Sequence, residues 1–201
     1  MDTTGGPAQA PTGETRPMRA DAKRNYQRLL DAAVAAFTEH GADDVSLEEI
    51  ARRAGVGIGT FYRHFPTRQA LLEAVYLDQV EALRARADEL LVTDPPGEAL
   101  AAWLRALTAF SSTKHNLTSA LLTTLGKDSD LLSACSKVII EAAEALLGRA
   151  KQAGVARQDV DSRDLIRLVH GVNLATQHAS SDPGQADRLL GLVLDGLRPN
   201  P

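Results

Sequence analysis

Apolar residues recur every three or four positions along almost all of the 201-residue chain. This spacing is that of one face of an α-helix, whereas no segment shows the strict alternation of a half-buried strand. Glycine, proline and capping residues divide the pattern into about nine helices. The chain is therefore predicted to be all-α, with its first helix beginning near Asp21 and with separate helices over residues 97–113 and 117–125.

The segment from Val45 to Phe65 carries the sharpest local signals. Ser46 and Glu49 have the spacing of a capping box, in which the serine hydroxyl accepts from a first-turn amide and the glutamate reaches back. This spacing predicts a short helix that ends at Gly55, and a very short helix follows within a few residues. Two short helices joined by a tight turn containing glycine form a helix-turn-helix, whose second helix enters the major groove of DNA.

Charge is distributed unevenly along the chain. Residues 16–68 carry nine Lys and Arg against seven Asp and Glu, whereas residues 69–201 carry 13 against 17. A basic head on an acidic body is expected of a small DNA-binding module joined to a second unit. A chance fluctuation is the competing interpretation, because the excess in the head is only two charges.

The chain is expected to divide into three parts. Residues 1–18 are rich in glycine and proline and poor in apolar residues, which predicts a disordered tail. Residues 19–66 form the predicted three-helix helix-turn-helix domain, and residues 67–201 form a helical body.

Several other classes of protein are disfavoured. No run approaches the ~18 consecutive apolar residues of a membrane span, and the N-terminus lacks the pattern of a signal peptide, so a cytoplasmic protein without membrane contact is expected. Cys135 is the single cysteine, which excludes an intramolecular disulfide, and inert core packing is expected for it rather than redox sensing. Without a glycine-rich phosphate loop or a nucleophile motif, neither an enzyme nor a cofactor is expected. No metal is expected either, although a site built from His115, His170 and His178 is an alternative.

A set of short motifs surrounds the helix-turn-helix. They are Leu29-Leu30-Asp31-Ala32-Ala33, His40-Gly41, Val45-Ser46-Leu47, Ala54-Gly55-Val56 and Gly59-Thr60-Phe61-Tyr62-Arg63-His64-Phe65. Together they make residues 28–75 resemble the TetR family of bacterial transcriptional regulators, and residues 95–179 more faintly resemble the C-terminal domain of SbtR-like members. The resemblance implies a DNA-binding head and a body that dimerises and binds a ligand.

The resemblance assigns DNA contacts to eight positions. It implies phosphate contacts for Ser46, Tyr62, His64 and Arg68, and base contacts for Gly57, Ile58, Thr60 and Arg63. The position of Arg68 is usually lysine in the family, so the cation is retained with a different geometry. Phe61 and Phe65 are expected to lie in the core of the head.

A basic stretch precedes the first predicted helix and continues into it. Arg16, Arg19, Lys23 and Arg24 could lie along the DNA backbone or enter the minor groove. A solvated tail without DNA contact is the alternative.

Two further surfaces are expected in the body. A mostly apolar effector pocket is predicted from Trp103, Leu107, Phe110, Leu121, Leu122, Leu125, Val138, His170, Asn173 and Gln177. The last three share one helical face, and packing within the core or an interface is the alternative for each of them. A dimer interface is predicted between the last two helices of each chain, with Leu189, Leu190, Val193, Leu194 and Leu197 on the last helix. The preceding helix is apolar on more than one side, through residues such as Leu168 and Leu174, and the resemblance also implies a four-helix interface.

The expected function is that of a TetR-type homodimeric repressor, which binds a palindromic operator on double-stranded DNA and is released by a small, largely apolar effector. The alternatives are an activator or an effector-independent regulator of the same fold, and more remotely a helical enzyme or a metal-binding protein. A structural protein that uses the head for protein contacts is disfavoured by Gly57 and Gly59, which suit close approach to a DNA backbone. The sequence leaves the operator, the regulated genes and the effector open.

Overall fold

The computed structural model describes residues 15–42, 44–125, 129–176 and 184–199, and over residues 15–19, 112–120 and 122–125 it describes the backbone alone. These residues form eight helices and no strand, which confirms the predicted all-α class. The helices are α1 (Thr15–His40), α2 (Leu47–Ala54), α3 (Ile58–His64), α4 (Arg68–Thr93), α5 (Pro96–Leu125), α6 (Asp130–Gln152), α7 (Ser162–Thr176) and α8 (Gln185–Gly196).

Two predicted boundaries are wrong. The helix α1 begins at Thr15 rather than near Asp21, so residues 15–18 are helical, while the rest of the predicted tail lies outside the described residues. The two helices predicted over 97–113 and 117–125 are one continuous helix, α5. No glycine or proline stands between Thr113 and Leu117, so no residue there opposes continuation of the helix.

The head is built by α1, α2 and α3 around one apolar core. Its buried side chains are Leu29, Leu30, Ala33, Phe37, Ile50, Phe61 and Phe65. Ser46 caps α2 as predicted, because its Oγ accepts from the Glu49 amide at 3.1 Å. The other half of the capping box is not formed, since the Glu49 carboxylate accepts from Arg52 and Arg53 instead. The helix ends at Gly55, whose φ of +63° is the left-handed conformation that favours glycine.

The long helix α4 connects the head to the body, since it packs against α1 on one side and against α5 and α6 on the other. A buried hydrogen bond fixes α5 on it, as Trp103 Nε1 donates to the Leu83 carbonyl at 3.0 Å. The helices α7 and α8 pack against each other and against α5. Among the described residues, no helix is both long and apolar enough to cross a membrane.

Candidate nucleic-acid interface and effector site

The helix α3 points one aromatic side chain inward and presents its other faces to solvent. Phe61 is fully buried, whereas Ile58 is 41% and Tyr62 43% exposed. Arg63 is also exposed, and within the described part of the chain its guanidinium forms no hydrogen bond or ion pair. Burial of Phe61 therefore sets the rotation of α3, which leaves its outward residues available to another molecule.

Two glycines lie at the start of α3 where the protein itself does not require them. Gly57 is the N-cap residue, with an ordinary φ of −62°, and its carbonyl accepts from the Thr60 and Phe61 amides at 2.8 and 3.0 Å. A Cβ atom added at Gly57 or at Gly59 would meet no atom within 4 Å. Internal packing does not explain either glycine, and the open space suits close approach of a DNA backbone.

The predicted phosphate contacts lie in different environments. Ser46 is exposed, and its hydroxyl keeps a hydrogen to donate while it caps α2. The Tyr62 hydroxyl lies 3.5 Å from a Glu48 carboxylate oxygen and donates to it. His64 is half-buried, and its ring stacks edge-on against Tyr26 at a centroid distance of 5.8 Å.

Arg68, another predicted phosphate contact, directs its guanidinium at backbone carbonyls of the head. Its Nη1 donates to the Val45 carbonyl at 2.8 Å, and its Nη2 donates to the Ala42 carbonyl. The guanidinium is therefore directed at the loop between α1 and α2, because that loop presents backbone carbonyls that need a donor.

A group of exposed ion pairs ties α2 to the end of α1. Arg53 donates to Glu49 at 2.8 Å and to Glu39 at 2.6 Å, and Arg52 donates to Glu49 at 2.9 Å. Hydrogen bonds from Arg53, and then from Arg52, lower the pKa of Glu49. Arg53 likewise lowers the pKa of Glu39. Two cations of the head are thus paired within the protein.

The predicted pocket residues that the structure describes belong mostly to the core of the body. Trp103, Leu107, Phe110 and Leu121 are buried, and Val138 is half-buried against the same core. The side chains of Leu122 and Leu125, and all of Gln177, lie outside the described residues.

Two members of the predicted polar row, His170 and Asn173, lie on described parts of α7. Asn173 Nδ2 donates to the Val169 carbonyl of its own helix at 3.1 Å. His170 is exposed and lines an open cleft of about 240 Å³ between α6 and α7. The residues lining that cleft are Ser136, Ile139, Ile140, Arg163, Ile166, Arg167 and His170.

Two buried polar residues beside the predicted pocket were missed in the sequence. The Tyr76 ring lies 6.0 Å from that of Phe110, and burial raises the pKa of Tyr76 to about 12. Ser111 is only 7% exposed, and its Oγ finds no hydrogen-bond partner in the described part of the protein. Both residues lie on the inward face of their helices. A polar residue within an apolar stripe is the sequence signal that could have identified them. A hydroxyl group buried without a partner is costly unless another molecule satisfies it.

The predicted dimer stripe on α8 faces the chain's own core. Leu190 is 1% exposed and Leu197 is also buried, so both side chains pack within the core of their own chain. Val193 and Leu194 are half-buried against the same core, and Leu189 is half-buried. The stripe packs inward because α8 must cover the apolar faces of α5 and α7. The large apolar side chains that α7 and α8 expose are Leu168, Leu174 and Leu192.

The described part of the structure contains no candidate metal site. No three side chains of His, Cys, Asp or Glu are grouped there so as to hold an ion. The His115 side chain and His178 lie outside the described residues, and Cys135 is buried as expected.

Comparison with known proteins covers both halves of the chain. Residues 29–75 match the family model described as bacterial regulatory proteins, tetR family. Residues 95–199 match the model described as transcriptional regulator SbtR-like, C-terminal domain. An HTH-type transcriptional regulator of Staphylococcus aureus (strain USA300) is 44% identical over 54 residues, which are 27% of this chain and 29% of that relative. The chain therefore matches less than a third of the length of this curated relative.

Solved structures match over a much larger part of the chain. A TetR transcriptional regulator from Streptomyces coelicolor superposes with a TM-score of 0.77 at 41% identity, covering 88% of this chain and 99% of that one. A transcriptional regulator FadR from Bacillus subtilis, solved in complex with stearoyl-CoA, shares the fold with a TM-score of 0.60 at 20% identity, covering 86% of this chain and 100% of that one. These are regulators and not enzymes. On the two family models and the match to the Streptomyces protein, the chain belongs to the TetR family of bacterial transcriptional regulators.

Proposed function

We propose that this protein is a cytoplasmic, homodimeric repressor that binds a palindromic operator and is released by a small-molecule effector. The observation that carries the proposal is the orientation of α3, with Phe61 buried and Ile58, Tyr62 and Arg63 exposed. A helix held in this way can enter the major groove with its first turn against the bases.

The outward residues of α3 divide into two chemical groups. Ile58 and the Thr60 methyl group suit contacts with thymine methyls, and Arg63 suits a bidentate contact with guanine. Ser46 and Tyr62 carry hydroxyl groups that can donate to phosphates on either side. The first group is then expected to determine which DNA sequence is preferred. The second group is expected to fix the position of the protein along the DNA backbone.

A dimer would bring two such heads to one operator, since a single head covers too few base pairs for tight and specific binding. The exposed apolar side chains of the last two helices support an interface there. On α7 these are Leu168 and Leu174, and on α8 it is Leu192. Gly171 and Gly191 lie on exposed or half-exposed parts of the same helices, with open space where a Cβ would stand. This face of α7 and α8 replaces the inward stripe as the proposed interface.

The effector is proposed to bind in the body beside Phe110, where Tyr76 and Ser111 supply polar groups within an apolar surrounding. Such a place suits a mostly apolar molecule that carries one hydroxyl or carbonyl group. The acyl ligand of the FadR structure was bound to a protein of the same fold at only 20% identity. It supports the proposal that a body of this architecture can take a ligand with a long apolar chain.

Selection from a library of genomic fragments at two salt concentrations tests the proposal. We expect the wild-type protein to enrich a palindromic site at both salt concentrations. The Arg63→Gln variant is expected not to enrich it. Binding without sequence preference that disappears at the higher salt concentration would contradict it. A reporter placed behind the enriched site separates a repressor from an activator, because deletion of the regulator raises expression in the first case and lowers it in the second.

A further inference from the structure

The guanidinium of Arg68 lies between the first turn of α4 and the loop that joins α1 to α2. It donates to the Val45 carbonyl at 2.8 Å and also to the Ala42 carbonyl. The side chain is half-buried, and both Ala42 and Val45 are buried. One planar cation therefore holds two backbone groups of the same loop.

The two carbonyls depend on this side chain. Both lie outside the helices, and no described backbone N–H donates to either of them. A buried carbonyl without a donor is destabilising. Arg68 thus supplies the donors that allow the loop to pack against the start of α4.

Both ends of this link are held firmly. Thr67 caps α4, since its Oγ1 accepts from the Ala70 amide at 3.1 Å. Val45 directly precedes Ser46, which caps α2. The Arg68 side chain therefore joins the capped start of α4 to Val45, the residue directly before the cap of α2.

Apolar side chains also join the first turn of α4 to the head. Leu71 and Leu72 are buried near the start of α4 in the same apolar core as Phe65. Apolar packing is non-directional, whereas a pair of hydrogen bonds to fixed carbonyls specifies an orientation. The hydrogen bonds of Arg68 therefore orient the loop on the first turn of α4.

We propose that Arg68 is a positioning residue that fixes the helix-turn-helix relative to α4, and that it makes no phosphate contact. The inference rests on the proposed function, because it concerns how the head is held for DNA binding. Arginine is required in this role because its fork reaches both carbonyls at once, while a lysine ammonium is a compact donor on a flexible stem. A phosphate contact, by comparison, would be served by either cation.

Two substitutions in the full-length protein separate these roles, with operator affinity measured over a series of salt concentrations. Arg68→Lys and Arg68→Gln are both expected to weaken operator binding about tenfold or more, with the slope of log affinity against log salt unchanged. Arg63→Gln, on the outward face of α3, is the comparison that loses a DNA contact. Arg86→Gln, on the exposed face of α4, is the control expected to bind as wild type. The inference is overturned if Arg68→Lys binds as wild type while Arg68→Gln lowers the slope by about one per protomer.

Amide hydrogen exchange in the DNA-free protein gives a second and independent measurement. Arg68→Gln is expected to accelerate exchange over residues 44–50 and to leave the body unchanged. Exchange at the wild-type rate over these residues would overturn the inference even if the variant binds DNA weakly. Because this readout needs no operator, it also distinguishes the two proposals. A wild-type protein that binds no fragment contradicts the proposed function alone.

Discussion

At the scale of single residues, the head contains glycines of two kinds. Gly55 is fixed by the fold, because its φ of +63° is a left-handed conformation that other residues rarely adopt. Gly57 and Gly59 have open space where a Cβ would stand, and neither has a positive φ. The first kind is explained by backbone conformation, whereas internal packing does not explain the second.

Substitution of these glycines by alanine is expected to separate stability from binding. Gly59→Ala should keep or raise the free energy of unfolding, by up to about 1 kcal/mol, because alanine favours a helix. It should also weaken operator binding by placing a methyl group against the DNA. Gly55→Ala should lower the free energy of unfolding by about 1 kcal/mol or more, because its left-handed conformation is strained for alanine. Denaturant unfolding and operator titration of both variants check this, and unchanged operator binding by Gly59→Ala would contradict it.

Ser111 offers a second pair of matched substitutions. Its buried Oγ has no partner among the described residues, whereas the Thr108 hydroxyl on the same helix donates to the Leu104 carbonyl at 2.8 Å. Ser111→Ala is expected to raise the free energy of unfolding of the ligand-free protein by about 1 kcal/mol. Thr108→Val should lower it slightly, because a satisfied hydrogen bond is lost. Thermal unfolding of both variants is the measurement, and a marked loss of stability in Ser111→Ala would show that its hydroxyl is already satisfied.

Residues whose role is local were predicted well from the sequence, while those whose role depends on tertiary structure were not. The cap at Ser46 and the burial of Phe61 follow from spacing along one short segment. The inward turn of Arg68 does not, because Ala42 and Val45 lie more than twenty positions before it in the chain. Only the folded loop shows that its carbonyls need a donor.

At the scale of elements, α8 shows what an apolar stripe leaves undetermined. Its pattern predicts one buried face, but a core and a partner subunit are equally apolar, so the pattern cannot say which of them covers it. The structure assigns that face to the core through Leu190 and Leu197. Leu192, which is 68% exposed, lies on the opposite side. The single helix α5 was missed for a related reason, since weakly apolar residues near its middle resemble a break although nothing there prevents a helix.

Two substitutions in α8 are expected to have opposite effects. Leu192→Asp should convert the dimer to a monomer and leave the fold of the subunit intact, because it adds a charge only to the proposed interface. Leu190→Ala should lower the free energy of unfolding by about 2–5 kcal/mol, because it leaves a cavity in the core. Light scattering after size exclusion gives the oligomeric state, and denaturant titration gives stability. A dimeric Leu192→Asp variant would exclude this face as the interface.

The ion pairs between α1 and α2 predict a dependence of stability on pH. Arg53 lowers the pKa of Glu49 and of Glu39 in the folded protein. A carboxylate whose pKa is lowered by folding stabilises the fold above its unfolded pKa, about 4.3 for glutamate, and this stabilisation is lost as the pH falls through the folded value. Wild type should therefore exceed Arg53→Gln in free energy of unfolding at neutral pH, and the difference should shrink in acid.

Denaturant unfolding between pH 7 and pH 3 measures this difference. Arg63→Gln is the control, because Arg63 has no carboxylate partner within the described chain, and its difference from wild type should stay constant. A constant difference for Arg53→Gln as well would mean that the ion pairs do not contribute to stability.

At the scale of the whole molecule, α4 connects the head, where DNA is proposed to bind, to the body, where the effector is proposed to bind, because it packs against both. An effector acts only if it binds more tightly to one arrangement of the heads than to the other. The division into a helix-turn-helix and a helical body was predictable from motifs and charge. The position of a pocket was not, because it depends on which side chains of separate helices leave space between them.

The proposed dimer is expected to bind only when its two half-sites face the same side of the DNA duplex. Two α3 helices presented by one rigid dimer contact half-sites about one DNA turn apart. Insertion of about 5 base pairs at the centre of the operator rotates one half-site to the opposite side of the duplex and should abolish binding. Insertion of a full turn is the control for distance. Titration of both altered operators is the measurement, and equal affinities for the half-turn insertion and the parent site would contradict a rigid dimer.

The pairing of Arg52 and Arg53 with Glu49 and Glu39 also affects the competition between the operator and the rest of the chromosome for this protein. A genome offers about 10⁶–10⁹ stretches of incorrect sequence, and attraction to them grows with the number of unpaired cations on the protein. A head that neutralises two of its arginines internally is held less tightly by arbitrary DNA. Fewer copies per cell are then sequestered away from the operator, so a given occupancy of the operator can be reached with a smaller pool of the protein.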